Sequence, residues 1–534
     1  MAIATLFVVD LLTRGWSGLE AHYADRGLLP RSALFEEFSH PWNWSLLFLS
    51  GRTEVIAGIF GVGAVAGVAM AVGFYTRLAT FVCWMILISI QSRNPMIIHG
   101  GDVLLRQLLF WAMFVPLGAR HSVDATREAP PQAPNRYWSI GTVALLAQVV
   151  ILYEFAFLHK TGKEWWPLGT AVQQAMQVDV FVWGLGLWLR EHPLVMHYLT
   201  YLTLAVQSVG PIFLISPIYP TLTRTIALVS LVGMHVGLGL SLDLGSFPWI
   251  DAAGMVPLIP AFYLDRMGGL FAAIDRGLRP IARALSALAD AASWRPARTW
   301  LVTPWLSRVT VVGMLAYVLA WNAASIERWN IAFPQNYTWI AHLTRTDQVW
   351  NMFSPRPMRD DGWYVMHGKL EDGTEVDVYH ATVGAPSKDK PADVPADYVD
   401  QRWRKYLMNL WGKNNSGHRV YYGRWLCRHW SDVHPDLARL QRFQITYMKE
   451  QTRKDGTARD VEPSQIWDHI CLTKQERQRR DAREAEASSP RGARVEGVDA
   501  TEAEPASEPP APDADPTPPA GQTAPEPSPA VAPG

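Results

Sequence analysis

Lys160 closes the apolar segment WSIGTVALLAQVVILYEFAFLHK and is followed five residues later by Trp165, the first Trp of KEWWP. A cation at the end of a membrane segment, beside a His and a Trp pair, is either an interface anchor or a chemical group. An amine is a poor base while protonated, with an ordinary pKa of about 10.4, but burial against apolar and aromatic groups lowers that value. Lined by Trp165 and Trp166, Lys160 would be neutral near neutral pH and able to take a proton. Tyr153, seven residues earlier, shares its helix face, whereas Glu154 does not. His235 lies in the middle of a second apolar segment, ALVSLVGMHVGLGLSLDLGSFPW, with Asp243 two turns later. Such a His either bridges helices by a hydrogen bond or takes part in chemistry. Asp102 and Arg106, in GGDVLLRQLLFW, form an i,i+4 acid-to-base pair that reads as structural, and Asp102 could cap that helix.

These groups need a scaffold of apolar helices, and the composition supplies one. The chain has 534 residues with 24 Trp, and only 18% are charged. Mean hydropathy is near zero, an average over two unlike halves. Residues 1 to about 325 are mostly apolar runs near spanning length, and the remainder is charged or Pro/Ala-rich. A net charge of −1 gives no electrostatic case for nucleic acid. Three cysteines, Cys83, Cys427 and Cys471, are too few for a disulfide scaffold, and without a CxxC or Cys/His cluster no metal is expected. GxSxG, HExxH and P-loop motifs are absent. The start, MAIATLFVVDLL, lacks the basic region and cleavage site of a signal peptide.

A span needs about 20 mostly apolar residues. On that premise about nine segments emerge, at 1–13, 53–75, 77–95, 103–118, 137–159, 195–215, 223–243, 248–264 and 308–324. The first is too short to cross and carries Asp10, so it is a half-helix packed against protein or a span whose true start lies upstream; the second is favoured. The 265–300 loop holds Arg266, Arg276, Arg279, Arg283, Arg295 and Arg298, and its periodicity suits an amphipathic helix on the membrane. Arg120, Arg127 and Arg136 mark the 119–136 loop, and Arg77 follows a very short connection. Placing all three connections in the cytoplasm satisfies the positive-inside bias. Loops 14–52, 96–102, 160–167 and 244–247 then face outward, as does everything after residue 325. Cys427 and Cys471 would then lie in an oxidising compartment, where they could pair if the domain brings them within bonding distance.

The fold expected is therefore an all-α polytopic membrane bundle over 1–325, a small α+β extramembrane domain over 326–473, and a disordered tail over 474–534. WYVMHGKL and TEVDVY flank the turn EDG and read as a β-hairpin. Arg402, Arg404, Lys405, Arg419, Arg424 and Arg428 read as a solvated basic face or one touching lipid headgroups. The tail, EPASEPPAPDADPTPPAGQTAPEPSPAVAPG, lacks the apolar residues to build a core.

Five strings occur in order: AHYADRGLLPR, the run from GFYTRLATFVCW through SRNPMIIHGGDVLLRQLLFW to VPLGARHSVDA, LHKTGKEWWPLGTAV, HVGLGLSLDLGSFPW, and WNMFSPRPMRDDGWYVMHGKLEDGTEVDV. Together they resemble the horizontally transferred transmembrane (HTTM) family, bacterial relatives of vitamin K-dependent γ-glutamyl carboxylase. The resemblance implies that Lys160, with Trp165 at the carboxylase spacing, is the base that deprotonates vitamin K hydroquinone, and that Lys163 is not. It implies that His235, with Gly245 ten and Phe247 twelve residues on, belongs to the site, and that Asn94 and His99 of SRNPMIIHGG lie near it. In the carboxylase the strong base made from the hydroquinone removes a glutamate γ-proton, and carbon dioxide adds to the carbanion.

The first functional reading is a quinone-linked enzyme of the bacterial cell membrane. Lys160 and His235 are its catalytic groups, and Asn94, His99, Tyr153, Trp165, Trp166 and Phe247 bind cofactor or substrate. The quinone enters laterally from the bilayer, and the substrate is a peptide or lipid on the extracytoplasmic side. The second reading is a non-catalytic maturation, immunity or export partner with the same fold. A transporter fits less well, since no internal repeat is evident.

Overall fold

The computed structural model describes residues 1–38, 40–127, 138–291, 304–452 and 459–471. Apolar runs become helices where capping and breaking residues allow. The longer ones are α1 (Ala2–Tyr23), α2 (Thr53–Val72), α3 (Thr76–Arg93), α4 (Gly100–Ala112), α5 (Ile140–Leu158), α6 (Pro193–Ile215), α7 (Pro220–Ser241), α8 (Phe247–Met255), α9 (Gly268–Ala291) and α10 (Pro304–Ala324). Ser139 and Thr142 cap α5 reciprocally, and His99 with Asp102 does the same for α4. Helix α2 ends at Gly73, whose φ of 73° suits glycine and whose missing Cβ leaves room for Ser122.

Among the described residues six helices are long and apolar enough to cross a membrane: α1, α2, α5, α6, α7 and α10. They turn large apolar side chains outward, such as Val65 and Val68 of α2, Ile212 of α6, Val229 of α7 and Val309 of α10. That surface fits lipid. The expectation of nine spans is thus met in only six by length and composition. The 103–118 segment yields the 13-residue α4, because the chain turns before Pro116. The 248–264 segment yields the 9-residue α8, stopped by Pro257 and Pro260. At 1.5 Å per residue both fall well short of a hydrocarbon core of about 30 Å. Helix α3 has 18 residues, but its last turn is Gln91, Ser92 and Arg93, all buried in protein. Conversely, the first segment is no half-helix ending near residue 13: α1 has 22 residues.

The connections gather at two ends of the bundle. At one end Asp124 accepts from the backbone of Tyr75 and Thr76 (2.9 and 2.8 Å), and His121 meets Asp275 of α9 at 2.9 Å. At the other, Arg93 donates to the carbonyls of Leu29 and Ala24, and the chain after α10 meets the loop after α5 through Ser325 and His159. Loops 24–52, 94–99, 159–170 and 242–247 all share this second end with the C-terminal domain.

That domain is an antiparallel sheet carrying two helices. Strands β1 (Asp360–Leu370), β2 (Glu375–Asp377), β3 (Thr382–Val383), β4 (Leu440–Thr452) and β5 (Arg459–Ile470) lie in the order β3-β2-β1-β4-β5. The predicted hairpin is β1 and β2, with His367 opposite Asp377 and Lys369 opposite Glu375. Helices α11 (Gln401–Trp411) and α12 (His418–Val433) join β3 to β4. Cys427 of α12 is disulfide-bonded to Cys471, the residue after β5. One continuous apolar core runs from Phe7, Leu105 and Leu152 through Trp350 to Tyr406, Trp430 and Ile445, uniting bundle and sheet. The tail from 474 on, and with it the disorder expected there, lies outside the described residues, as do Arg136, Arg295 and Arg298.

Arg402, Arg404 and Arg419 do not belong to the expected solvated face, whereas Arg424 is exposed. Arg402 and Arg404 are buried. Arg404 pairs with Asp243 at 2.7 Å, Arg419 caps the carbonyls of Leu410, Trp411 and Ile466, and Arg428 reaches the carbonyl of Arg26. Their charge serves docking on the bundle and closing of helix ends.

Candidate functional site

Helix α5 ends at Leu158, and Lys160 folds back over that end. Its Nζ donates to the carbonyls of Ala156 (2.9 Å) and Met352 (3.3 Å) and sits 5.0 Å from the centre of the Trp165 ring. Trp165 is buried and donates through Nε1 to the Phe353 carbonyl at 3.0 Å, while the Gly162 N–H reaches the Pro355 carbonyl at 2.9 Å. Residues 352–355 therefore strap the Lys160 loop from the C-terminal side of the chain. No carboxylate pairs with Lys160 among the described residues. Desolvation, uncompensated by a counter-charge, pushes its pKa down to about 7. A neutral amine has two hydrogens and a lone pair; the two carbonyls take the hydrogens, leaving the pair to accept a proton.

The second half of the site lies where α5, α7 and α8 meet. Tyr153 donates its hydroxyl to Asp251 Oδ2 at 2.5 Å, and Nε2 of His235 lies 3.3 Å from the same oxygen. The His235 ring packs edge-on against Tyr153 (5.8 Å between centres) and Phe247 (5.3 Å). All four residues are buried, and neither ring nitrogen of His235 makes a hydrogen bond, Nε2 only approaching Asp251. Asp251 escaped the sequence reading, although an Asp four residues after Phe247 in an apolar segment was the signal for it. Asp243 does not partner His235; it lies past the end of α7 and pairs with Arg404.

Gly100 and Gly101 join the two halves. A Cβ on Gly101 would stand 3.0 Å from the Phe247 Cα, and one on Gly100 would stand 3.2 Å from the Met352 Sδ. Lack of side chains thus lets one stretch of backbone pack against both Phe247, which touches His235, and Met352, which holds Lys160. Lys160 and His235 make no hydrogen bond or ion pair with each other among the described residues.

The remaining predicted residues serve elsewhere. His99 caps α4, its Nδ1 accepting from the Gly101 N–H at 3.0 Å, so it borders the site as a structural group with Nε2 unpartnered. Both ends of the Asn94 amide are engaged, Nδ2 with the His22 carbonyl and Oδ1 with the Met96 N–H, each at 3.1 Å. Trp166 does not line Lys160: it is 70% exposed and meets Tyr201 edge-on at 5.5 Å.

A second buried cluster adjoins His99. Arg14 donates to Asp10 (2.7 Å) and to Asp102, and Arg402 donates to Asp10 (2.7 Å) and to Asp102 (2.8 Å). Two cations and two anions form a closed quartet between α1, α4 and α11. The expected Asp102–Arg106 pair does not form; Arg106 turns to Asp347 (2.9 Å) and Gln91 (3.0 Å).

Residues 35–261 match the family model of the HTTM domain. No curated protein and no solved structure matches the chain.

Proposed function

With residues 35–261 matching the HTTM domain, we propose that the chain is a quinone-linked enzyme of the bacterial cell membrane with Lys160 as its base. Its substrate is a peptide or lipid on the extracytoplasmic side, and the chemistry is carboxylase-like. The observation that carries this reading is the Lys160 amine, held by two carbonyls and Trp165 with no counter-charge, its pKa down to about 7. A structural cation would have an anion beside it, as Arg14 and Arg402 do.

The residues fit a flat aromatic ligand. Trp165, Phe247 and Met352 offer apolar contact, and Nδ1 of His235 has no protein partner, so a ligand hydroxyl could serve as one. A bound hydroquinone would supply an acidic hydroxyl in a site that excludes water. There Lys160 Nζ takes up the proton, the carbonyls of Ala156 and Met352 hold the amine in place, and Trp165 shields it. Asp251, which accepts from Tyr153, lies beside Nε2 of His235.

The proposed topology is nine traverses from a cytoplasmic start, with the C-terminal domain outside. The shared end of loops 24–52, 94–99, 159–170 and 242–247 supports it, as does the Arg-rich α9 at the opposite end. Reporter fusions after Asp275 and after Asn330 should give opposite signals, and equal signals would end the nine-traverse scheme. The function is tested by mass spectrometry of protein purified in mild detergent. A co-purifying quinone, retained by Lys160→Met while turnover or phenotype is lost, is expected. Full activity in Lys160→Met would leave Lys160 an anchor and favour the non-catalytic partner.

A further inference from the structure

Where the loop after α1 meets α12 and the sheet, the surface encloses a cavity of about 250 Å³, lined by Arg26, Arg428, Arg439, Asp432 and the Cys427–Cys471 disulfide. Three arginines and one aspartate line it, and Arg26 also lies 4.0 Å from Glu20, both side chains mostly exposed. The Arg26–Asp432 contact is long, 3.4 Å, between side chains that are both mostly exposed, so it neutralises little. Arg428 donates to the carbonyls of Arg26 (2.9 Å) and Gly27 (3.4 Å), which fix its guanidinium without cancelling its charge. The Arg439 side chain has no partner among the described residues. The cavity therefore carries uncompensated positive charge on a preformed frame, because the disulfide ties one wall, α12, to the end of the strand that forms another.

We propose that this cavity binds the phosphate headgroup of an anionic phospholipid in the leaflet on which the C-terminal domain rests. Its position argues for lipid. Arg26 is three residues past Tyr23, the end of the candidate span α1, and Trp16 of that helix, 94% exposed, is the kind of side chain that settles at headgroup depth. Its size agrees, being below the roughly 300–1,000 Å³ of pockets that enclose whole drug-sized ligands. Planar guanidiniums lining one cavity suit phosphate oxygens in particular. An anion there would also offset the burial and the repulsion from Arg26 that hold the Arg428 pKa down.

The test uses the full chain in nanodiscs of phosphatidylcholine with a minor fraction of phosphatidylglycerol, reading retained lipid by native mass spectrometry. Wild type should keep a phosphatidylglycerol that survives competition by inorganic phosphate. Arg439→Gln and Arg26→Gln should each weaken its retention about fivefold, the worth of one basic residue at an anionic surface. Arg439→Gln removes a side chain with no protein partner, so an unchanged melting temperature in pure phosphatidylcholine will certify its fold even if Arg26→Gln perturbs the loop. Equal retention in Arg439→Gln would overturn the proposal. So would displacement by inorganic phosphate alone, which assigns the cavity to a free anion, or preferential displacement by an oligoglutamate peptide, which assigns it to an acidic chain.

Discussion

Two buried polar clusters lie at the same end of this molecule, and they are built on opposite principles. In the Asp10–Arg14–Asp102–Arg402 quartet every charge meets an opposite one, and Arg402 adds a bond to the Ile97 carbonyl at 2.9 Å. In the Lys160 and His235 region the amine has only carbonyls, and a ring nitrogen has nothing. Closed ionic networks hold structure. Under-partnered titratable groups in apolar surroundings are costly to keep and point to chemistry. Both clusters are completed by the C-terminal segment, through Arg402 in one and residues 352–353 in the other. The site thus belongs to bundle and sheet together.

The comparison breaks first at the quartet. Arg402→Met should leave two buried carboxylates to Arg14 alone and cost about 3–5 kcal/mol, read as a large fall in the melting temperature in detergent. A loss under about 1 kcal/mol, the scale of an exposed pair, would mean the quartet is not closed in solution. Next comes Tyr153→Phe, which removes the hydroxyl given to Asp251 and should cost about 1–3 kcal/mol. The same loss in an Asp251→Asn background would show that the two groups do not act as a pair. Smallest are Lys163→Met and Trp166→Ala, each within about 0.5 kcal/mol and without effect on activity. A strong phenotype for Trp166→Ala would return that ring to the site from which its exposure removes it.

What the sequence made legible was local. Apolar runs located the helices, and the alternation around EDG located the β1–β2 hairpin. The five-residue step from Lys160 to Trp165 identified two side chains that do meet. What it hid were partners far along the chain. Arg106 has Asp102 at the ideal helical spacing, yet binds Asp347, 241 residues away. Asp102 is already claimed by its own cap and by Arg14 and Arg402, the latter 300 residues distant. Reading Arg402 and Arg404 as a surface failed for the same reason: helical periodicity reveals a charged face but not what docks against it. Only six of the nine expected segments are helices of spanning length and apolarity; at α8 hydropathy sums continue across Pro257 and Pro260 while the helix does not. Trp166 was misjudged because adjacency to Trp165 says nothing of direction in a loop.

The central claim is that Lys160 is a neutral amine at physiological pH, and its titration tests this most directly. Its folded pKa of about 7 lies below the ordinary value of 10.5, so the unfolded chain binds the extra proton between those values. Stability contributed by this group should therefore rise with pH from about 7 to about 10.5. Lys160→Met should remove that rise, and Lys163→Met should keep it. The decisive measurement is the rate of acylation of Lys160 against pH in the intact protein, followed residue by residue by mass spectrometry. A midpoint near pH 7 is expected for Lys160. A Lys160 midpoint near the ordinary value of 10.5 would contradict this and leave a protonated anchor at the end of α5.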